Sequence, residues 1–428
     1  MSELPAGGSR WIDRDAHRHF LFDQVLSLLR FHRATLSADG HFGELDDDGA
    51  LIDSGGPQKL LVVARMVHSY ALGELLGLPG CEPVVERGLE ALWREHRDER
   101  LGGYREQVGE QQAGAAHKTA YGHAHVLLAA SSAWRAGHDA RALCEDVAEV
   151  LDERFWSEAD GASRDAFSAE WSELEPYRGA NANMHLCEAY LAAYDATGDQ
   201  VFATRAERIG ALVIERHARA RGWMLPEHYD EDWGPILAYN RDHLDHPFRP
   251  YGVTVGHLLE WSRLLRGIAA ATGEVGWTAE AARGLFATAV EVGWDTALGG
   301  LAYTVDFDGR QANPHRYWWP IAEGIAASAV HAETEPNLAY EGWYRRFWDF
   351  AAAHLIDHAR GGWYAQLDEQ NRRIAGPWYG KPDLYHALQA CLVPLVPRGA
   401  SVAGALAEHP PTLCDAPASA RRNGHTGP

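Results

Sequence analysis

Three histidines stand in similar places, each near the apparent start of a separate helix-like segment. His185 follows Asn181 and Asn183, either of which could cap a helix. His257 lies in the first turn of VGHLLEW, and His386 follows the Pro-Asp start signal in KPDLYH. Because imidazole titrates near neutral pH, histidine is the natural side chain for taking and giving protons there. Two such histidines on opposite sides of a small ligand could remove a proton and return one.

Polar neighbours help to separate a structural role from a chemical one. A lone histidine in an apolar helix most often belongs to the core, but Glu260 lies on the same helix face as His257, and Asp383 lies close to His386. Such groups would be costly beside a dry core, so they favour a polar cavity. Arg65 interrupts an apolar helix face in LLVVARMVHSYAL and could stabilise an oxyanion, although an ion pair with a buried carboxylate fits its spacing equally well.

The sequence favours chemistry without a metal ion or another cofactor. The spacing of His257 and Glu260 occurs in some dimetal carboxylate bundles, but the paired Glu-x-x-His motifs of such sites are missing. The five cysteines are odd in number and lack C-x-x-C spacing, which argues against a disulfide framework or a zinc site. They are Cys81, Cys144, Cys187, Cys391 and Cys414. We therefore expect no metal and a reducing, cytoplasmic location.

Composition and charge narrow the class of ligand. The net charge of −21 argues against nucleic acid and anionic membrane surfaces, because both bind basic protein faces. The N-terminal MSELPAGGSRW has no signal-peptide pattern, and no apolar run approaches the length of a membrane-spanning helix. The 16 Trp, 16 Tyr and 23 His residues suit a pocket for a polar, ring-shaped molecule. We expect such a small molecule as the partner of a monomer or homodimer.

The elements that must position these residues follow an internal repeat. Six short glycine–aromatic turns recur at roughly 55- to 80-residue spacing. Their aromatic residues are Phe42, Tyr104, Phe167, Trp223, Tyr303 and Trp363. Helix-like segments with apolar residues three and four apart lie between the turns, and strand-like alternation is confined to the turns themselves. Small hairpins on a helical body are the expected result.

Six repeats of two helices each predict an all-α fold, an (α/α)6 barrel of six helix-pair repeats with short hairpin loops. An open solenoid is the alternative, but neither end shows a polar capping repeat. We expect residues 1–10 to be a flexible N-terminus, 11–397 a single catalytic domain and 398–428 a disordered tail. The long polar connection 237–252 could close over a pocket as a lid.

Several longer motifs resemble those of the N-acylglucosamine 2-epimerase superfamily, and within it the aldose–ketose isomerase branch that includes mannose isomerases. The similarity extends from about Trp11 to Pro397. It rests on ARMVHSYAL, YRGANANMHLCEAYLAAYDATGD, FRPYGVTVGHLLEWSRLL, YWWPIAEGIA and KPDLYHALQACLVP. The resemblance implies a metal-free (α/α)6 barrel without a cofactor, in agreement with the repeat count.

The resemblance also implies roles for individual residues. His257 and His386 would form the acid/base pair, with His185 as a further pocket histidine. Arg65 would stabilise an oxyanion, and Glu260 would support His257 or the opening of a sugar ring. Positions that look like sugar contacts are Asn181, Tyr121, Arg249, Trp319 and Trp378. The implied reaction interconverts the neutral monosaccharides D-mannose and D-fructose, and also D-lyxose and D-xylulose, through a cis-enediolate.

Three other interpretations stay open at this level. A proton returned to C2 from the opposite face would make the chain a sugar 2-epimerase, although ARMVHSYAL replaces the Arg-x-x-Trp-type stretch typical of epimerases. Many (α/α)6 barrels hydrolyse glycosides with a carboxylate pair. Carboxylates that could serve are Glu170, Glu227, Asp230 and Glu323. The third is a carbohydrate-binding protein without catalytic activity.

Overall fold

The helices alternate along the chain between an inner and an outer ring. The computed structural model describes residues 10–52, 56–109, 117–273, 276–335, 338–382 and 384–411, so residues 1–9, Asp383 and 412–428 with Cys414 lie outside this description. The inner helices are α2 (Leu60–Leu75), α4 (Ala120–Arg135), α6 (Ala180–Thr197), α8 (Val255–Thr272), α10 (Trp318–Thr334) and α12 (Tyr385–Leu392). The outer helices are α1 (Asp15–His32), α3 (Glu82–Ala91), α5 (Arg141–Val150), α7 (Gln200–Gly210), α9 (Gly276–Gly293) and α11 (Leu338–Phe350), and α13 (Val402–Glu408) follows them.

The inner helices form a closed ring. Each packs against the next inner helix in the sequence, and α12 returns to pack against α2. Each outer helix covers the inner helix of its own repeat, and α1 covers α12, so the first helix of the chain completes the last repeat. The six inner and six outer helices in the described part of the chain confirm the predicted (α/α)6 barrel.

The two rings differ in burial as their sequences differ in polarity. In α8 every residue from Val255 to Ala269 is buried, as expected for a helix covered on all sides. In α5 the buried residues are Leu143, Cys144 and Val147, on one face. Within the described ranges, no helix combines the length and apolar character needed to cross a membrane.

Four outer helices continue into π-helical turns at Leu92–His96, Leu151–Phe155, Ala211–Ala218 and Ala351–Leu355, and 3₁₀ turns lie at Trp11–Asp13, Arg33–Thr35, Arg219–Arg221 and Val393–Leu395.

Short antiparallel strands meet near the starts of the inner helices. The pairs are β1 (Gln58–Lys59) with β2 (Gln107–Val108), β3 (His117–Thr119) with β6 (Ala166–Ser168), β4 (Trp156–Ser157) with β5 (Ala162–Ser163), β7 (Arg178–Gly179) with β8 (His228–Tyr229), β9 (Val253–Thr254) with β10 (Thr304–Val305), β10 with β11 (Gln311–Asn313), and β12 (Arg316–Tyr317) with β13 (Gln366–Leu367). The hairpin of β4 and β5 is of the predicted local kind. Most pairs instead join segments separated by a whole helix pair, such as Gly179 opposite His228.

Three of the glycine-rich turns contain an ion pair with a buried cation. In each, an aspartate near the start of the turn accepts backbone N–H groups from residues two and three positions later. The same aspartate binds a cation that lies just before the next inner helix. The pairs are Asp98–Lys118, Asp295–Arg316 and Asp357–Lys381, with N–O distances of 3.0, 2.6 and 2.8 Å. These contacts hold the starts of α4, α10 and α12 against the preceding turns.

The C-terminal segment departs from the sequence prediction. Residues 398–411 are described and include α13, so the expectation of a disordered tail is wrong for this part. Ser401 caps the helix by accepting the backbone N–H of Gly404 at 3.0 Å, and the side of α13 that includes Leu406 is buried against the barrel. So short a helix is stabilised by tertiary contacts rather than by its own composition, which explains why its sequence was misjudged.

Candidate functional site

The starts of the inner helices surround a cavity in the middle of the ring. Nine of the ten residues predicted for the site line it, namely Arg65, Tyr121, Asn181, His185, His257, Glu260, Trp319, Trp378 and His386. Each of the six inner helices contributes at least one of them, and Trp378 comes from the loop before α12. The closed ring therefore brings together residues that lie far apart in the sequence.

His257, in the first turn of α8, is held by Glu227 from the loop before β8. The Nδ1 atom of His257 lies 3.0 Å from both carboxylate oxygens of Glu227. Glu227 is 4% exposed and also accepts the backbone N–H of Thr254 at 3.3 Å. Because a carboxylate only accepts hydrogen bonds, Nδ1 carries the proton and Nε2 is the basic nitrogen of the neutral ring. Glu227 thus supports His257, which is one of the two roles that the sequence analysis expected for Glu260.

His386, at the start of α12, has the same arrangement with a different partner. Its Nδ1 donates to Glu323 of α10 at 2.9 Å, so Nε2 is again the basic nitrogen. Burial alone would raise the pKa of Glu323, but the charge of Arg263 and the hydrogen bond from His386 hold that pKa below its usual value. The indole of Trp319 contacts both imidazoles, with ring centres 5.2 Å from His257 and 5.7 Å from His386. A ligand beside Trp319 is therefore within reach of both histidines.

Arg65 presents its guanidinium at the cavity wall. It donates to the hydroxyl of Tyr121 at 3.0 Å and to Nε2 of His125 at 3.3 Å. His125 donates its Nδ1–H to the backbone carbonyl of Tyr121 at 3.0 Å, and burial holds its pKa well below the usual value. The guanidinium also lies over the ring of Tyr385, 4.9 Å from its centre. The positive charge is therefore fixed in place for a developing oxyanion.

His185 differs from the other two histidines because its Nδ1 has no carboxylate of the described residues within hydrogen-bond distance. Its Nδ1 is 3.7 Å from Glu188 and 3.8 Å from Glu260, beyond hydrogen-bond distance. Burial lowers the pKa of His185 to about 4, although the charge of Glu188 opposes this. We expect His185 to stay neutral near pH 7 and to contact the ligand without exchanging a proton.

A buried layer of charged groups lies beneath the cavity. Arg263 donates from Nε to Glu323 at 3.1 Å and from Nη2 to Glu188 at 3.3 Å. Glu260 is fully buried, and neither of its oxygens has a hydrogen-bond partner among the described residues. Burial, together with the charges of Glu323 and Glu188, raises the pKa of Glu260 well above its usual value. The raised pKa favours the protonated form of Glu260, which lessens the repulsion among the three carboxyl groups near Arg263.

Two overlapping groups in this layer have the geometry to hold a metal ion. They are His185, Glu188 and Glu260, and Glu260, Glu323 and His386, with ligand atoms within 4.8 Å of one another in each group. The guanidinium of Arg263 already bonds the carboxylates of both groups. A divalent cation would have to displace this guanidinium or lie beside it against like-charge repulsion.

Proline and aromatic side chains cover the cavity where it opens. Pro247, Phe248 and Pro250, from the connection 237–252, line its wall. Phe248 packs edge-on against Trp378 with ring centres 5.5 Å apart, and it is 42% exposed. The connection therefore lies over the pocket, where a lid would have to be.

Arg249 is the predicted site residue that does not line this cavity. It lines a wider outer cavity of about 760 Å³, which also borders Tyr121 and Trp378. Its guanidinium bonds Glu175 at 2.6 Å and Asp165 at 3.1 Å, and it lies 4.0 Å from the ring centre of Tyr177. These contacts fasten the connection 237–252 to the loops around β6. Its carboxylate partners are 74 and 84 residues away in sequence, so no local pattern revealed the pairing.

Sequence analysis missed the supporting residues of the site. Glu188 lies three residues after His185, and Arg263 lies three residues after Glu260, so helical spacing could have identified both. Glu227 offers no such signal because it approaches His257 from a separate loop. Glu323 was considered as a hydrolase carboxylate, whereas the structure bonds it to His386 and Arg263.

The arrangement combines two basic imidazole nitrogens, a fixed guanidinium and a buried carboxyl group with a raised pKa around one small cavity. These are the groups needed to remove a proton from carbon, stabilise negative charge on oxygen and deliver a proton elsewhere. Hydrolysis by a carboxylate pair fits less well, because Glu227 and Glu323 are buried and engaged by histidines.

Comparison with known proteins agrees with this geometry. Residues 40–390 match the family described as N-acylglucosamine 2-epimerase (GlcNAc 2-epimerase). A D-mannose isomerase from Thermobifida fusca is 43% identical over 402 residues, covering 93% of this chain and 98% of its own, and one from Pseudomonas cannabina pv. alisalensis is 41% identical over 406 residues, covering 93% and 97%. A crystal structure of a D-mannose isomerase matches with a TM-score of 0.84 at 30% identity, covering 92% of this chain and 99% of that one. The chain belongs to the N-acylglucosamine 2-epimerase family.

Proposed function

We propose that this protein interconverts D-mannose and D-fructose by moving a proton between C2 and C1 of the open-chain sugar, without a metal ion. The observation that carries the proposal is the pair His257 and His386, which both contact Trp319 and are both held at Nδ1 by a buried glutamate. The D-mannose isomerase relatives support the choice of sugar. D-Lyxose has the same configuration as D-mannose at C2, C3 and C4, so its conversion to D-xylulose is the expected second reaction.

Catalysis begins with opening of the sugar ring. Protonation of the ring oxygen and loss of the proton from the C1 hydroxyl break the C1–O5 bond and leave an aldehyde. Glu260 is the proposed acid, since burial and its like-charged neighbours keep its pKa high and it lines the cavity. The other residues proposed to hold the sugar are Asn181, Tyr121, His185, Trp319 and Trp378.

Proton transfer then proceeds through an enediolate. Nε2 of one histidine takes the proton from C2, and the electron pair forms the C1–C2 double bond while charge moves to O1. Arg65 stabilises that oxyanion. The same histidine returns the proton to C1, and the second histidine moves the hydroxyl proton from O2 to O1, which gives the ketose. Each imidazolium that forms is stabilised by Glu227 or Glu323.

A sugar 2-epimerase on the same site is the second candidate. Because His257 and His386 both contact the indole of Trp319, each can reach one bound sugar. If one removes the C2 proton and the other returns a proton to C2 from the opposite face, D-mannose yields D-glucose. The identity of the product separates the two candidates.

The charges at the cavity mouth support an unphosphorylated substrate. The described lining of the outer cavity has two cations, and both are paired: Lys59 with Glu44 at 2.6 Å and Arg249 with Glu175 at 2.6 Å. Asp165 and Glu106 add further carboxyl groups to this lining. A sugar phosphate would bring negative charge to this acidic mouth, so we expect D-mannose 6-phosphate to be neither converted nor bound at concentrations that saturate with D-mannose.

The first test is a proton NMR time course with D-mannose in D₂O and EDTA. D-Fructose should appear, and deuterium at its C1 would report how far the transferred proton exchanges with solvent. D-Glucose carrying deuterium at C2 would favour the epimerase instead. Replacing His386 by Asn should reduce the rate by about 10²–10⁴-fold, and near-full activity of that variant would refute the two-histidine mechanism.

We also propose a cytoplasmic location for this enzyme. Cys81, Cys144, Cys187 and Cys391 are free and buried, which is usual in a reducing compartment. Fractionation of cells that produce the protein would test the location, and sedimentation velocity would decide between a monomer and a homodimer.

A further inference from the structure

A second polar cavity lies at the far end of the barrel, between the carboxyl-terminal ends of the inner helices and the C-terminal segment. Its barrel side is lined by His68, Ser132, Glu188, Arg263, Arg266 and Gln389, and residues 396–403 close the other side. The cavity has a volume of about 60 Å³. Such a space is large enough for ordered water, since one molecule needs roughly 10–15 Å³.

The walls of this C-terminal cavity contain polar atoms that need partners. Nε2 of His68, Oε1 of Gln389 and Nε of Arg266 are buried without a hydrogen-bond partner among the described residues. These side chains are 3%, 1% and 3% exposed. Leaving such groups dry costs about 1–3 kcal/mol each, whereas a polar cavity of this size satisfies them with water.

The segment that closes the cavity is firmly attached. We call residues 396–408 the C-terminal plug. Asp195, on α6, accepts the backbone N–H of Ser401 at 2.8 Å and its hydroxyl at 2.6 Å. The same hydroxyl caps α13 by accepting the N–H of Gly404, and Ala403 and Leu406 of the plug are buried. One serine therefore both starts the helix and fastens it to the barrel.

Arg263 connects this cavity to the proposed active site. It lines the C-terminal cavity together with its ion-pair partner Glu188. On its other side it bonds Glu323, which in turn holds Nδ1 of His386. Thus Arg263 and Glu323 form a bonded path from the cavity to the histidine. Water held between the C-terminal plug and the barrel would solvate Arg263 and Glu188.

We propose that the C-terminal plug is a positioning element for catalysis: it retains ordered water against Arg263 and Glu188 and thereby fixes Glu323 and His386. The proposal rests on the isomerase function proposed above. No described residue lines both this cavity and the substrate pocket, so loss of the plug should change the rate of proton transfer and leave sugar binding nearly intact.

The test uses two full-length variants at one position. Ser401→Asp places a carboxylate against Asp195 and detaches the plug, whereas Ser401→Thr keeps the hydroxyl and the hydrogen bonds. We expect Ser401→Asp to lower kcat for D-mannose about tenfold or more with KM changed less than about twofold, since small displacements of catalytic groups are costly. Ser401→Thr should match the parent enzyme. An unchanged kcat in Ser401→Asp, with the plug shown to be detached, overturns the proposal.

Hydrogen–deuterium exchange without sugar shows whether the plug has detached and does not depend on the reaction. In Ser401→Asp, peptides from the plug and from α8 and α12 should exchange faster than in the parent, and faster exchange in the plug alone overturns the coupling.

If the plug stays attached or Ser401→Asp does not fold, Ala192→Leu decides, because Ala192 lines the cavity and a larger side chain there displaces the water. The same loss of kcat at constant KM is expected from it, and unaltered kinetics would refute the proposal. If the parent enzyme does not convert D-mannose, the proposed function fails while the exchange result still tests the coupling.

Discussion

At the residue scale, the two proposed acid/base histidines have the same support from different directions. Glu227 reaches His257 from a loop and also bonds the backbone N–H of Thr254. Glu323 reaches His386 from α10 and is bonded on its second oxygen to Arg263. In each case a buried carboxylate fixes the orientation and tautomer of the imidazole and stabilises the imidazolium that proton abstraction creates.

Replacing Glu227 by Gln should lower kcat about 10²-fold or more with little change in KM. Glutamine removes the negative charge that stabilises the imidazolium, and its carbonyl and amide no longer enforce a proton on Nδ1 of His257. Steady-state kinetics with D-mannose measure both constants. Glu280→Gln is the matched control, because Glu280 forms an exposed pair with Arg219 and should affect neither constant. Full kcat in Glu227→Gln would show that His257 does not need this partner.

Removal of metal ions should leave activity unchanged. Arg263 already bonds Glu188 and Glu323, the carboxylates that a cation in this layer would need. Dialysis against EDTA followed by the D-mannose assay checks this expectation, with addition of Mn²⁺ or Co²⁺ to the dialysed enzyme. Loss of activity that either metal restores would instead place an ion on one of the two carboxylate–histidine groups.

Sequence reasoning located this site through helix starts and a family resemblance, and it failed where contacts are long-range. His257 and His386 could be identified because each begins an apolar helix with a polar neighbour. Glu227 could not, because nothing local links a loop residue to a histidine 30 positions later. The position of Arg249 in the outer cavity was not foreseen for the same reason, since its two carboxylate partners lie in a different repeat.

At the element scale, the starts of the inner helices are fixed by contacts with the turns that precede them. Asp357 illustrates this, because it accepts two backbone N–H groups of its own turn and binds Lys381, which lies four residues before α12. The side chains of Lys381 and Asp357 are 1% and 4% exposed. The position of His386 in the first turn of α12 therefore depends on a buried ion pair outside the cavity.

Lys381→Met should reduce the free energy of unfolding by about 3–5 kcal/mol, since it leaves Asp357 buried without its cation. Chemical denaturation followed by tryptophan fluorescence measures the change. The control is Arg310→Met, whose partner Asp308 is 72% exposed, and which should cost less than about 1 kcal/mol. Equal effects of the two substitutions would mean that the buried pair contributes no more than a surface pair.

The repeat was predictable at this scale, but the C-terminal plug was not. Glycine–aromatic turns and helical periodicity both reflect local geometry, so they revealed six helix pairs. The plug sequence SVAGALAE is short and rich in small residues, and its helix depends on Asp195, which lies 206 residues before Ser401. The composition correctly indicates that such a segment has little intrinsic order. It does not reveal the protein surface against which the segment becomes ordered.

At the scale of the whole molecule, closing the ring encloses many histidines. His68, His96, His123, His185 and His331 are each less than 5% exposed. Burial lowers the pKa of the first four to about 4 and that of His331 to about 3. In the unfolded chain the same side chains take up protons near their usual pKa of about 6.5. The barrel is therefore most stable when these histidines are neutral.

Acid should destabilise the barrel well before it protonates these histidines in the folded state. The stability that they contribute is complete above about pH 6.5 and is lost as the pH falls towards 4, at up to roughly 1.4 kcal/mol per pH unit for each histidine. Buried carboxyl groups have the opposite effect on stability, because burial raises their pKa, to about 6 for Asp165 and well above the usual value for Glu260. The described core contains fewer of these carboxyl groups than of histidines with a lowered pKa. We expect calorimetry to show Tm falling by roughly 10 °C between pH 7.5 and pH 5. His123→Gln retains an acceptor for the backbone N–H of Tyr104 and should make the dependence of Tm on pH shallower. A Tm that stays constant or rises towards pH 5 would show that the carboxyl groups dominate.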